Sequence, residues 1–206
     1  MKATRRAVAP VSCPHPDSLR AMTRPEPARA DVREDPPVAG LGPGLAFLAA
    51  TVNARAVVEV GTGSGWGGLW LLRGMAPDGL LTSMDVDPEQ QRAARRTFLD
   101  AGYGQSRLRL IVGLAGEVLP RLTDGGYDLV VVDGVRTEYP GHLVEAIRLL
   151  RPGGVLALHG VQEQEGGEGP EAAAIRETLD LVRADPRLVP VLLPLGAGLL
   201  CATRRP

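Results

Sequence analysis

The 206-residue sequence has little cysteine: Cys13 and Cys201 are its only two, one near each end. That number and separation point away from a disulfide framework and match no metal-ligand spacing, so two unpaired thiols in a reducing cytoplasm are expected. Neither charge sign is in excess, with 23 Lys+Arg against 24 Asp+Glu and a net charge of −1. Without a basic surplus nothing points to nucleic acid, and without an acidic block nothing points to a tail-binding partner. No apolar run approaches the ~20 residues of a membrane-spanning helix. The opening MKATRRAVAP carries charge but no apolar core after it, so it does not read as a secretory signal. Apolar residues at 44% and charged residues at 23% fall in the globular range, and the length suits one ordinary domain.

Residues 1–37 are rich in proline and charge and poor in apolar side chains, as in TRPEPARADVREDPP. Such a segment buries too little to offset its ordering entropy, so a loose arm is expected, with a short helix around Ser18–Met22. Residues 38–206 form the folded domain in this reading. Short apolar runs there alternate with helical periodicities: AVVEVG, GLLTSMDVD, RLRLIVG, YDLVVVDG and GVLALHG read as strands. PEQQRAARRTFLDAG reads as a helix with Pro88 in its first turn and Gly102 beyond its end. YPGHLVEAIRLLRPGG reads as a helix stopped by Pro-Gly-Gly, and PEAAAIRETLDLVRAD as another. Strands apolar throughout indicate a parallel sheet covered on both faces. LVPVLLPLGAGLLCAT is two strands around a turn too short for a crossover, so the last strand runs antiparallel. The expected fold is α/β, a doubly wound, mostly parallel seven-stranded sheet. Ligands in such folds bind at the carboxyl ends of the strands, where Glu59, Asp85, Asp133 and His159 fall.

VVEVGTGSGWGG concentrates glycine: five of the eight residues Gly61–Gly68. Two nucleotide readings compete. Gly63, Gly65 and Gly68 spell the G-x-G-x-x-G of a dinucleotide site, with Asp85 downstream for ribose hydroxyls. Glu59, Gly61, Gly63 and Gly65 spell E-x-G-x-G-x-G, which puts a carboxylate on the strand itself, placed for an ammonium group, as in S-adenosylmethionine sites. A P-loop is excluded because no Gly-Lys-Ser/Thr follows. A tight turn that binds nothing is the third reading.

VVEVGTGSGWGGLWLL, LTSMDVDPEQQRAAR, YDLVVVDG, LLRPGGVLALH and LLPLGAGLL together resemble the catechol- and caffeoyl-CoA-type O-methyltransferases, most of all an actinobacterial branch. The resemblance runs from about residue 38 to the end. It implies a class I, Rossmann-like methyltransferase fold, S-adenosylmethionine as cofactor, a small phenolic or similar substrate and a homodimer. It places Glu59 and Gly61 at the methionine portion and Asp85 at both ribose hydroxyls; Gly63, Gly65 and Val86 are further cofactor-binding candidates, and Trp66 either packs in the core or borders the methionine end. Leu114 and Ala115 would border the adenine, with the Ala115 N–H as donor, and Asp133 would take the first metal-ligand position.

The resemblance breaks at the metal. The family pattern adds an Asp-Asn pair at the end of the next strand, where this chain has His159 and Gly160. One carboxylate is a poor Mg²⁺ site, and a histidine nitrogen suits a transition metal better. Arg136 stands where the caffeoyl-type pattern has a lysine, and arginine effectively never deprotonates. The candidate catalytic pair is therefore His159 as base with Asp133 orienting its other nitrogen, beside the reading of His159 as a strand-end histidine capped by a loop. The rival readings are a non-catalytic S-adenosylmethionine-binding protein and a nicotinamide-dependent oxidoreductase. Arg136, Glu138 and Tyr139 are expected in the loop after Asp133, either contacting substrate or forming a plain connection, and the Gln162 loop over the substrate side. His142 is expected to face solvent and His15 to lie in the arm.

Overall fold

Apolar stretches of five or six residues, most closed by a glycine or acid, become the inner strands of one sheet. The computed structural model describes residues 40–162 and 166–206. In chain order these form α1 (Leu41–Thr51), β1 (Ala56–Val60), α2 (Trp66–Gly74), β2 (Leu80–Asp85) and α3 (Pro88–Asp100). There follow β3 (Leu108–Val112), a single turn α4 (Ala115–Val118), β4 (Tyr127–Val132), α5 (Tyr139–Leu149) and β5 (Leu150–His159). The chain ends with α6 (Pro170–Ala184), β6 (Leu188–Leu193) and β7 (Leu199–Arg204). The expected arm at residues 1–37, with its Ser18–Met22 helix, Cys13 and His15, lies outside the described residues, as do residues 163–165 of the Gln162 loop.

The seven strands lie in the order β3-β2-β1-β4-β5-β7-β6. The pairs among β1 to β5 are parallel, and β7 runs antiparallel to both neighbours, as expected. Strand order reverses between β1 and β4, so the crevice for a ligand opens beyond the ends of those two strands.

Successive residues of each inner strand point to opposite faces, and both faces are covered. Val58, Val60, Val130, Val132, Leu156 and Leu158 pack with Leu143, Ile147, Ile175 and Leu179 of α5 and α6. Val57, Leu81, Leu129, Val131 and Ala157 pack with Leu45, Leu69, Leu72 and Phe98 of α1 to α3. Complete burial of the strands explains why they read as continuous apolar runs. Asp87 caps α3 by accepting the Glu89 N–H at 2.8 Å, with Pro88 in the first turn. Cys201 is a buried free thiol, and no helix among the described residues is long and apolar enough to cross a membrane.

One boundary differs from expectation. The helix α5 ends at Leu149, before Pro152-Gly153-Gly154, and those residues lie within β5. The register slips there: Tyr127 pairs with Leu150, and Leu129 with Val155. A proline without an N–H is tolerated at such a bulge because no ladder donor is required.

Candidate functional site

The carboxyl ends of β1, β2, β4 and β5 bring Glu59, Asp85, Asp133 and His159 to one crevice. A cavity of about 290 Å³ holds these four with Gly61, Gly63, Trp66 and Gly67 along its wall. A second lobe of about 200 Å³ shares Gly61, Asp85 and Asp133 and extends to Val86, Gly113 and Ala115. A larger groove of about 680 Å³ lies at the other end of the sheet, between α5 and α6. Its Arg148 and Arg187 are already paired with Asp124, Glu145 and Asp185, whereas the crevice gathers three carboxylates, Glu59, Asp85 and Asp133.

Glu59 is 3% exposed, and its Oε2 accepts the Ser83 hydroxyl at 2.5 Å. Burial pushes its carboxyl up to about 8; the Ser83 bond opposes this, while Asp133 and Asp85 add to it. The other oxygen lies against the first turn of α2, where a Cβ on Gly67 would stand 2.8 Å from Oε1. Gly61 has φ of 91°, and a Cβ there would meet the Asp133 carbonyl oxygen at 2.0 Å. The glycine run thus lets the chain pass tightly between two strand ends while Glu59 looks into the cavity.

Asp85 is aimed by backbone donors. Its Oδ2 accepts the Gly63 N–H at 2.9 Å, and its Oδ1 the Asp87 N–H at 3.0 Å. A carboxylate has about four acceptor positions, so both oxygens keep capacity for a pair of hydroxyls. Val86 and Ala115 flank the second lobe. Leu114 does not line this lobe: the chain is extended at this helix cap, and the exposed side chain borders a neighbouring surface groove.

His159 Nδ1 lies 3.0 Å from Asp133 Oδ1, and the Ala197 N–H donates to His159 Nε2 at 3.4 Å. A ring that accepts at Nε2 carries its proton on Nδ1, so His159 donates to Asp133 and directs a lone pair from Nε2. Tyr139 is not a loop residue that reaches substrate. It begins α5, is fully buried, and donates its hydroxyl to the His159 carbonyl at 2.9 Å. Burial raises its phenol far above the usual range, so this residue pins the end of β5. His142 does not face solvent either. Tyr139, His142, Leu143 and Ala146 form the inward stripe of α5, and His142 is 3% exposed. Burial lowers its pKa, and its Nε2 lies 3.4 Å from Glu138.

The residues at the metal position do not fit a divalent cation. Asp133 and His159 are committed to each other, and Gly160 offers no side-chain donor. The half-buried Arg136 guanidinium fills the space instead: a Cβ on Gly160 would stand 2.5 Å from it, and its Nε donates to the Gly160 carbonyl at 3.4 Å. A fixed cation there repels a metal ion. Among the described residues no three potential ligands come together.

Thr62, Ser83 and Gln91 form a buried polar chain behind Glu59 that the sequence reading missed. Two signals pointed to it. Thr82 and Ser83 put hydroxyls inside a buried strand, and Gln91 shares the inward stripe of α3 with Ala94 and Phe98.

A sequence model described as O-methyltransferase matches residues 38–205. An inferred O-methyltransferase of Mycobacterium sp. (strain JLS) is 52% identical over 165 residues, covering 78% of this chain and 75% of the other. A solved protein of Corynebacterium glutamicum superposes with a TM-score of 0.76 at 29% identity, covering 81% of each chain. The O-methyltransferase of Bacillus cereus, solved with S-adenosylhomocysteine, shares the fold with a TM-score of 0.75 at 23% identity, over 85% of this chain and 84% of that one.

Proposed function

The chain belongs to the O-methyltransferase family, and from that premise we propose how its crevice performs S-adenosylmethionine-dependent methyl transfer to an oxygen of a small molecule. Family membership supports the E-x-G-x-G-x-G reading over the dinucleotide one. Glu59 receives the ammonium of the methionine portion, and the Gly61–Gly65 backbone runs beneath it. Trp66 borders that end. Asp85 accepts both ribose hydroxyls, with Val86 and Ala115 beside the adenine. When bound, the cofactor supplies its own electrophile, a methyl group on a sulfonium. The work left to the chain is alignment of the accepting oxygen and removal of its proton.

A phenol titrates near about 10 and must be deprotonated for attack. His159 Nε2 takes that proton, displacing the long contact from Ala197, and Asp133 steadies the imidazolium through Nδ1–H. The observation that carries this reading is the 3.0 Å His159–Asp133 pair, set in the same cavity as Glu59. No step passes through a metal, because the donor set does not hold one. A homodimer and a cytoplasmic location complete the reading, and light scattering tests the first.

The direct test is transfer from methyl-labelled S-adenosylmethionine to a panel of phenols and catechols. His159→Ala should lower kcat by roughly 10²–10⁴ while S-adenosylhomocysteine affinity stays within about threefold. A variant with wild-type kcat would remove His159 from the mechanism.

A further inference from the structure

The buried chain behind Glu59 has a direction, and that direction reaches the cofactor pocket. Gln91 is 5% exposed, sits on α3 and does not line the crevice. Its Nε2 lies 2.9 Å from the Ile111 carbonyl, 3.3 Å from the Ser83 carbonyl and 2.8 Å from Thr62 Oγ1. Carbonyl oxygens only accept, so the amide nitrogen must face them and the amide cannot be flipped. Its Oε1 is buried and has no partner among the described residues. The side chain is therefore held for its N–H groups.

Thr62 Oγ1 and Ser83 Oγ are 2.6 Å apart, and taken alone either hydroxyl can donate. The Gln91 N–H occupies a lone pair of Thr62 and so favours Thr62 as donor to Ser83. Ser83 then directs its own proton to Glu59 Oε2 at 2.5 Å. Each bond polarises the next in the same sense. Without Gln91 the hydroxyl pair can reverse, and Glu59 loses its donor.

We propose that Gln91 is a positioning residue for the cofactor, acting through Thr62 and Ser83 to hold a donor on Glu59 Oε2 and leave Oε1 as acceptor for the cofactor's ammonium. This rests on the cofactor reading above. The charged groups that face Glu59 are Asp85 from β2 and Asp133 from β4, with His159 of β5 in the same cavity, bonded to Asp133. Burial and the two aspartates favour the neutral acid, and the Ser83 donor opposes them. An ammonium needs the ionised form. Cofactor affinity therefore falls as pH drops below the Glu59 titration, and breaking the relay moves that fall to higher pH.

The test is calorimetric titration of the full chain with S-adenosylhomocysteine at several pH values from 6 to 9.5, on both sides of the Glu59 titration at about 8, with thermal melts of each variant. Wild-type affinity should rise with pH by up to about tenfold per unit. Gln91→Met should weaken binding about 3- to 20-fold at neutral pH, shift the midpoint of the pH curve upward by roughly 0.5–1.3 units, and approach wild type above the shifted midpoint. Should Gln91→Met fail to fold, Ser83→Ala should show the same shift, and Ser83→Thr, which keeps the hydroxyl, should reverse it. Variant curves that superimpose on wild type, or a loss equal at every pH, overturn the proposal. Wild type that binds no S-adenosylhomocysteine at any pH overturns the cofactor reading itself, a distinguishable failure.

Discussion

Replacing Asp85 with alanine separates the ribose assignment from a merely structural role for this carboxylate. Its two oxygens accept the Gly63 and Asp87 N–H groups at 2.9 and 3.0 Å and keep lone pairs for ligand hydroxyls. Hydrogen bonds to a charged acceptor contribute about 1.5–3 kcal/mol. Losing that amount weakens S-adenosylhomocysteine roughly 10- to 150-fold. The two orphaned N–H groups also loosen the loop, at a cost of about 1 kcal/mol each at most where water reaches them. A double-mutant cycle divides the effects: S-adenosylhomocysteine and its 2′-deoxy analogue are titrated into wild type and Asp85→Ala. Wild type should prefer the hydroxylated ligand, and the variant should lose most of that preference. A variant that binds both ligands as wild type does would refute the ribose assignment. A variant that weakens both equally would reduce Asp85 to a loop anchor.

Glu59→Gln should exchange function for stability. The folded carboxyl titrates at about 8, above its usual 4.5, so its contribution to stability is complete below about 4.5 and is lost as pH rises toward 8. With glutamine that loss vanishes, a gain on the order of 3–5 kcal/mol at pH 8 in the ligand-free protein. Urea unfolding across pH should show the gain, with S-adenosylhomocysteine binding abolished; parallel pH profiles for the two proteins would contradict it. Gly61→Ala should cost roughly 2–5 kcal/mol, from a left-handed backbone with a side chain and a forced contact with Asp133. An unfolding midpoint equal to wild type would show that β1 and β4 part more easily than their geometry implies.

The sequence made the fold legible because burial on both faces leaves a plain mark. Val57 to Val60 and Leu129 to Val132 must be apolar at nearly every position, so they cannot be taken for surface strands. Glu59, Asp85 and Asp133 were legible for the opposite reason: an acid closing or interrupting such a run has nowhere to go but the crevice. What escaped depends on helical phase. His142 was read as solvent-facing early in its helix and Tyr139 as part of the loop after Asp133, yet the phase of α5 turns both inward. The bulge in β5 was hidden because Pro-Gly-Gly ends helices more often than it sits within strands. The Gln91 relay depends on three elements meeting at distances that no local spacing encodes. The guanidinium of Arg136 reached Gly160 from 24 residues away in the same fashion.

The central claim is that the Glu59–Asp85 crevice holds S-adenosylmethionine beside the His159–Asp133 pair. Calorimetric titration with S-adenosylhomocysteine, with NAD as control and with and without added divalent metal, tests it most directly. The account predicts micromolar binding of one molecule per chain, independent of metal, and no heat from NAD. Binding of NAD without S-adenosylhomocysteine, or affinity that appears only with metal, would contradict it.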